Sequence, residues 1–219
     1  MFIGHLAVGL ASKGAAPRSS LGWLMAAPLM LDLLWPVFLI LGIERVRIAP
    51  GDTAFTPLAF DAYPWSHSLA MTALWAGLFG GGYFLATRYA RGATVIALGV
   101  VSHWVMDALT HRPDLPLAPG WPTMVGYGLW SSPAATLLIE IGIFAAAVWF
   151  YVRTTVARDR IGRYAFVGFV FFALAAYAAA SEGPPPPSVA VVAYGSLSLY
   201  LFPLWAAWFD AHRLLRTQI

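Results

Sequence analysis

Six apolar runs limit what this chain can become. They cover roughly Leu21–Gly42, Ser66–Thr87, Ala93–Thr110, Ser131–Val152, Tyr164–Ser181 and Val189–Phe209. The hydrocarbon core of a bilayer is about 30 Å thick, and about 20 helical residues cross it. Runs this long and this poor in charge predict transmembrane helices. Composition agrees: 60% of the 219 residues are hydrophobic and only 11% are charged, too few polar side chains to cover a water-facing surface. The expected fold is all-α, a single integral membrane domain over residues 1–219 built as a polytopic bundle of about six transmembrane helices. The opening stretch MFIGHLAVGLAS is also apolar, but as a helix it reaches only about 18 Å. It lacks the positive start of a signal peptide, because Lys13 follows the apolar part. A half-span or re-entrant helix tucked into the bundle is expected there.

The basic residues orient the bundle. Lys13 and Arg18, Arg88 and Arg91, Arg153 to Arg163, and Arg213 with Arg216 all fall on alternate connections. The positive-inside rule puts those connections in the cytoplasm, namely loops 13–20, 88–92 and 153–163 and the C-terminus. A bacterial cytoplasmic membrane is the expected location. The long segments 43–65 and 111–130, rich in Pro, Gly and aromatics, are then expected outside as a structured cap. Basic residues scattered over short loops form no dense patch, so no nucleic-acid partner is expected. The chain has no cysteine, which excludes disulfides and thiolate metal sites.

Ionisable side chains inside spans are costly and tend to mark function. In SHWVMDALTHRPD, His103, Asp107 and His111 recur every four residues and so form one stripe along a helix. Imidazole nitrogen with carboxylate oxygen suits zinc, iron or manganese. Counting the helical rise, Asp32 and His103 lie about 11–15 Å below the outer end of their spans. His67 lies nearer the outer surface, and a helical N-terminus lifts His5 toward the same level. A metal site in the outer half of the bundle is therefore expected, against the alternative of an Asp–His hydrogen bond that pins helices together. Glu140 reads as a structural hydrogen-bonding group, and His212 as a polar helix end with Asp210 and Arg213.

Four short motifs carry a resemblance: GHLAVG with His5, LMLDLLWP with Asp32, PWSHSL with His67 and SHWVMD with His103 and Asp107. Together with HRPDLPLAPG and GYGLWSS they resemble the bacterial multi-pass family of membrane-bound metal-dependent hydrolases, over roughly residues 1–131. The order of His and Asp is also similar to that of zinc-dependent phospholipase C. The resemblance implies a helical, metal-activated phosphoester hydrolase. It implies His5, Asp32, His67, His103 and Asp107 as metal ligands, with Asp107 bridging two ions, and His111 as a second-metal or acid–base residue. Two departures reduce the ion count. Leu34 stands where the family often has a second Asp, and Thr136 stands four before Glu140 where a His is common. One or two divalent ions are expected, zinc first, with iron or manganese as alternatives.

The function that follows is a membrane-embedded hydrolase acting on a phosphoester of a lipid or lipid-linked substrate from the outer side, with membrane lipid as its partner. His111 or Asp114 would move a proton at the outer mouth, as the catalytic pair. Other classes stay open: a scaffold or complex subunit with a closed structural metal or polar cluster, a metal or proton transporter, and di-iron oxidation of lipid. The Gly80–Gly82 run in the second span permits either close helix contact or a break.

Overall fold

The computed structural model describes residues 1–216, and the C-terminus expected in the cytoplasm lies outside them. Six helical segments are long and apolar enough to cross a bilayer, in an otherwise all-α architecture with short strands only. The chain is a multi-pass membrane protein. Helix α1 (Ile3–Ala15) precedes the first span, α2 (Leu21–Ile40). A hairpin of β1 (Arg45–Ile48) and β2 (Leu58–Ala62) leads into the short α3 (Pro64–His67). Spans α4 (Leu69–Thr87) and α5 (Ala90–Thr110) follow, then a second hairpin, β3 (Leu115–Pro116) with β4 (Met124–Val125). Next come α6 (Pro133–Thr154), strand β5 (Thr155–Ala157) and α7 (Arg160–Glu182). The last span, Val189–Ala211, consists of α8 (Val189–Ser196), a 3₁₀ turn and α9 (Leu201–Ala211). Strand β6 (Arg213–Leu215) pairs antiparallel with β5 at the far end. The two longer connections form one end of the bundle, the cap.

The segment MFIGHLAVGLAS is helical and lies inside the bundle against α2, α5 and α6. Its Ile3, His5, Leu6 and Leu10 have no exposed surface. Gly9 permits the close approach, because a Cβ there would meet the backbone of Met25 at 3.0 Å. The opposite surface is apolar, with Leu78, Leu98, Leu138 and Phe171 more than half exposed, as lipid-facing positions are.

Several boundaries differ from the sequence reading. Ser66 and His67 do not begin the second span. Ser68 turns extended, accepts a hydrogen bond from Met71 N at 3.3 Å and caps α4, so His67 sits on the separate α3 beneath the hairpin. The Gly80–Gly82 run does not break α4. Gly80 instead faces the Ala93 carbonyl of α5, where a Cβ would stand at 2.9 Å.

His212 stands at the end of α9 as expected, but the Asp210 side chain does not pair with it there. Asp210 turns inward and accepts Lys13 Nζ at 2.7 Å, Tyr151 OH at 2.8 Å and Leu21 N at 3.0 Å. His212 bonds Asp159 instead. Lys13 is buried rather than a free surface charge, and Nζ also donates to the Ser19 carbonyl. A buried carboxylate in apolar surroundings needs this full set of donors. Removing one member of a buried ion pair costs about 3–5 kcal/mol. Asp210→Ala should therefore lower the melting temperature in detergent markedly, and the Lys13→Leu/Asp210→Leu double variant should lower it less than either single change. Equal melting of Asp210→Ala and wild type would show that the pair does not hold the bundle.

Candidate functional site

Proline shapes the first wall of the site. Pro28 and Pro36 sit four residues before and four after Asp32 in α2. Proline has no N–H, so Pro36 leaves the Asp32 carbonyl without its helical partner. The Pro28 carbonyl accepts His103 Nδ1 from α5 at 2.7 Å. That bond fixes the ring and turns Nε2 toward Asp32 and Asp107.

Two other histidines follow the same rule. His67 Nδ1 lies 2.6 Å from Ser66 Oγ, which donates to Glu44 Oε2 at 2.6 Å. Glu44 also accepts the Trp65 and Ser66 N–H groups, each at 2.8 Å. Burial pushes the Glu44 carboxyl above its ordinary value, and these donors pull against that shift. His111 Nδ1 bonds Asp114 Oδ1 at 2.9 Å, and Tyr63 OH donates to the same oxygen at 3.1 Å. Arg112 reaches from Asp114 to Asp52 and so ties the two cap segments together. In each ring one nitrogen is committed outward, to a carbonyl, a hydroxyl or a carboxylate, and Nε2 faces inward. Orientation of this kind is how proteins prepare histidine to bind a metal.

The inward atoms converge. Asp107 Oδ2 stands 3.1 Å from His103 Nε2, 3.8 Å from His67 Nε2 and 3.9 Å from His111 Nε2. Asp32 Oδ1 stands 3.5 Å from His67 Nε2 and 3.8 Å from His103 Nε2. His5 stacks on His103 with ring centroids 3.8 Å apart, and its Nε2 lies 3.1 Å from Asp107 Oδ1. That same oxygen meets the Met1 amino group at 2.7 Å. Two overlapping sets could each hold an ion, His5–His103–Asp107 and Asp32–His67–His103. They share His103.

The donor set fits a divalent cation. Ligands about 2.0–2.1 Å from a tetrahedral zinc lie about 3.3 Å from one another, inside the range of spacings seen here. His103 Nε2 is buried and faces two carboxylates, Asp107 Oδ2 at 3.1 Å and Asp32 Oδ1 at 3.8 Å. Asp32 and Asp107 bring two acidic groups into an apolar bundle where a cation would offset them.

All five residues expected as ligands thus meet. His111 joins them at the cap side with Trp130 against its ring, centroids 4.3 Å apart. Asp114 stands one step further out, behind His111. Glu140 keeps the structural role read from the sequence: Oε2 accepts Phe2 N at 2.9 Å and Gly4 N at 3.3 Å, which caps α1. The GYGLWSS stretch closes the end of α5, with Tyr127 N donating to Ala108 O and Gly128 N to His111 O. A Cβ at Gly126 would stand 2.0 Å from the Arg112 carbonyl, so only glycine fits there. Sequence reasoning missed Glu44, Ser66 and Tyr63, the groups that orient His67 and His111. A serine directly before a motif histidine was the available signal for the first pair.

A cavity of about 180 Å³ opens onto these groups. Asp32, His67, Asp107, His111 and Glu140 form its polar wall, while Trp35, Phe55, Phe60 and Tyr177 are apolar or aromatic. Comparison with protein-family models, curated proteins and solved structures finds no match, so the chemistry of the site is read from its own residues.

Metal analysis of the purified protein tests the centre. Wild type should carry stoichiometric divalent metal, and His103→Ala should lose it because both ligand sets depend on that ring. Glu44→Gln should weaken metal affinity by about 10–100-fold, the usual effect of losing an outer partner of a ligand. Metal-free wild type, prepared without chelator, would refute the assignment.

Proposed function

We propose that the chain is a membrane-embedded, metal-dependent hydrolase of a phosphoester in a lipid or lipid-linked substrate. The observation that carries this reading is the convergence of three oriented imidazoles and two carboxylates inside the bundle, where His67, His111, Asp32 and Asp107 line one cavity and His103 stands behind them. The motifs that resemble those of membrane-bound metal-dependent hydrolases and the His/Asp order similar to zinc-dependent phospholipase C point the same way. His5, Asp32, His67, His103 and Asp107 would hold one or two ions, zinc foremost. A divalent ion there supplies a Lewis acid for a phosphoryl oxygen and lowers the pKa of water.

The chain's own residues do the rest. His111 presents Nε2 at the cavity wall while Asp114 holds Nδ1, so His111 can pass a proton to or from a substrate oxygen. Trp130 and Phe60 pack on the His111 ring and exclude water around it. Asp114 acts through His111 as a positioning residue, supported by Tyr63 and Arg112.

One observation favours a hydrolase over a transporter. The Lys13–Asp210–Tyr151 cluster at the far end is closed on itself by hydrogen bonds. Leu6 and Leu10, fully buried on α1, separate it from His5. Among the described residues these buried leucines therefore stand between the two charged clusters, where a transport path would need polar groups. The positive-inside pattern supports a cap facing outward from a bacterial cytoplasmic membrane.

A screen of phosphoester substrates with purified protein tests the reading. His111→Ala should lower kcat by about 10²–10⁴-fold, the usual size of acid–base assistance, while retaining metal. Metal-loaded protein inert toward every phosphoester tried would instead favour a structural centre. The chain lacks cysteine, so Trp121→Cys, at an exposed cap position, supplies a single label site. An impermeant thiol reagent should modify it in intact cells, and modification only after lysis would invert the topology.

A further inference from the structure

The last two membrane-crossing segments do not run together along their whole length. At the far end α9 packs along α7, whereas toward the cap α8 leans on α2 instead. The two segments therefore splay in the cap-side half. Between them lies an apolar groove of about 460 Å³.

One wall is a face of α7 that begins at Phe172 and narrows to Ala176, Ala179, Ala180 and Gly183. The other wall is α8 and its 3₁₀ turn, where Gly195 has open space around its Cα. From Phe172 to Gly183 the groove follows α7 for about 16 Å at the helical rise. That is about half the hydrocarbon thickness of a bilayer, the depth of one leaflet. Small side chains alone would make only a helix contact. Here the groove shares Phe2, Thr56 and Ala180 with the His/Asp cavity, so the two adjoin along these residues. At the junction the buried Tyr177 hydroxyl, on the same α7, lies beside Glu140 at the cavity wall.

We propose that this groove holds one hydrocarbon chain of a lipid from the cap-side leaflet, with the lipid's phosphate end in the His/Asp cavity. The proposal rests on the hydrolase reading for the phosphate and on the groove alone for the chain. Access is lateral, between α7 and α8, so the substrate never leaves the bilayer. Tyr177 lies where chain meets head group and would donate to the ester or phosphate oxygens. A groove one leaflet deep and one helix face wide selects a single chain, and a second chain would remain in the surrounding lipid.

The test uses the full chain in nanodiscs of phosphatidylethanolamine and phosphatidylglycerol, doped with a phosphatidic acid bearing a diazirine on one acyl chain. After irradiation, mass spectrometry should find adducts concentrated on segments 172–183 and 191–202. Ala180→Trp and Gly195→Leu, two independent ways to fill the groove, should each reduce those adducts at least tenfold while keeping the wild-type melting temperature. His103→Ala should retain them. Adducts spread equally over outward residues such as Leu98 and Leu138, and unchanged in a folded groove variant, would overturn the proposal. Groove adducts in a protein that hydrolyses no phosphoester would overturn the hydrolase reading and leave the chain site standing.

Discussion

Asp107 is a carboxylate with 2% of its surface exposed, one turn below the end of a membrane helix. Leaving such a group unpaired in apolar surroundings costs several kcal/mol, and the bundle is arranged around answering it. His103 reaches it from the same helix, His5 from α1, His67 from α3 and His111 from the end of α5. Three elements are thereby drawn to one point. The short α1 brings its first turn to that point, with Glu140 closing the neighbouring N–H groups. A soluble protein could hydrate a misplaced carboxylate, but this one has to surround it.

The two ends of the bundle solve the problem of buried charge differently. At the far end Asp210 is matched by a lysine, a tyrosine and a backbone N–H, so its valences are filled. At the cap end His67, His111, Asp32, Asp107 and Glu140 instead line an open cavity. A saturated cluster stabilises, and an open one is ready to accept something more. The cap hairpins support the second state, because Arg112 links Asp114 on one segment to Asp52 on the other above the site.

The spans were legible in the sequence because lipid requires long apolar runs, and Leu21, Thr87 and Thr110 bound helices as the pattern suggested. The ligand residues were legible because charge inside such a run is costly and four-residue spacing fixes one face. What escaped was whatever depended on the cap. Glu44 reads as a loop charge until the hairpin folds back over Trp65 and Ser66. Tyr63 reads as one aromatic among many until His111 and Asp114 come beside it. Asp210 looked like a helix end because its partner Lys13 is far away in sequence. The splay of α7 and α8 left no mark in hydropathy, since lipid-facing and groove-facing alanines have the same composition.

The outward bonds of His67 and His103 differ in kind. His67 depends on the side chains of Ser66 and Glu44, and one base change in either codon can undo the arrangement. His103 depends on a carbonyl oxygen, which every amino acid at position 28 would still provide. Alanine scanning would thus find the support of one ring and pass over that of the other. The better protected ring is the one common to both candidate ion sites, so ordinary sequence drift in α2 would disturb the shared ligand last.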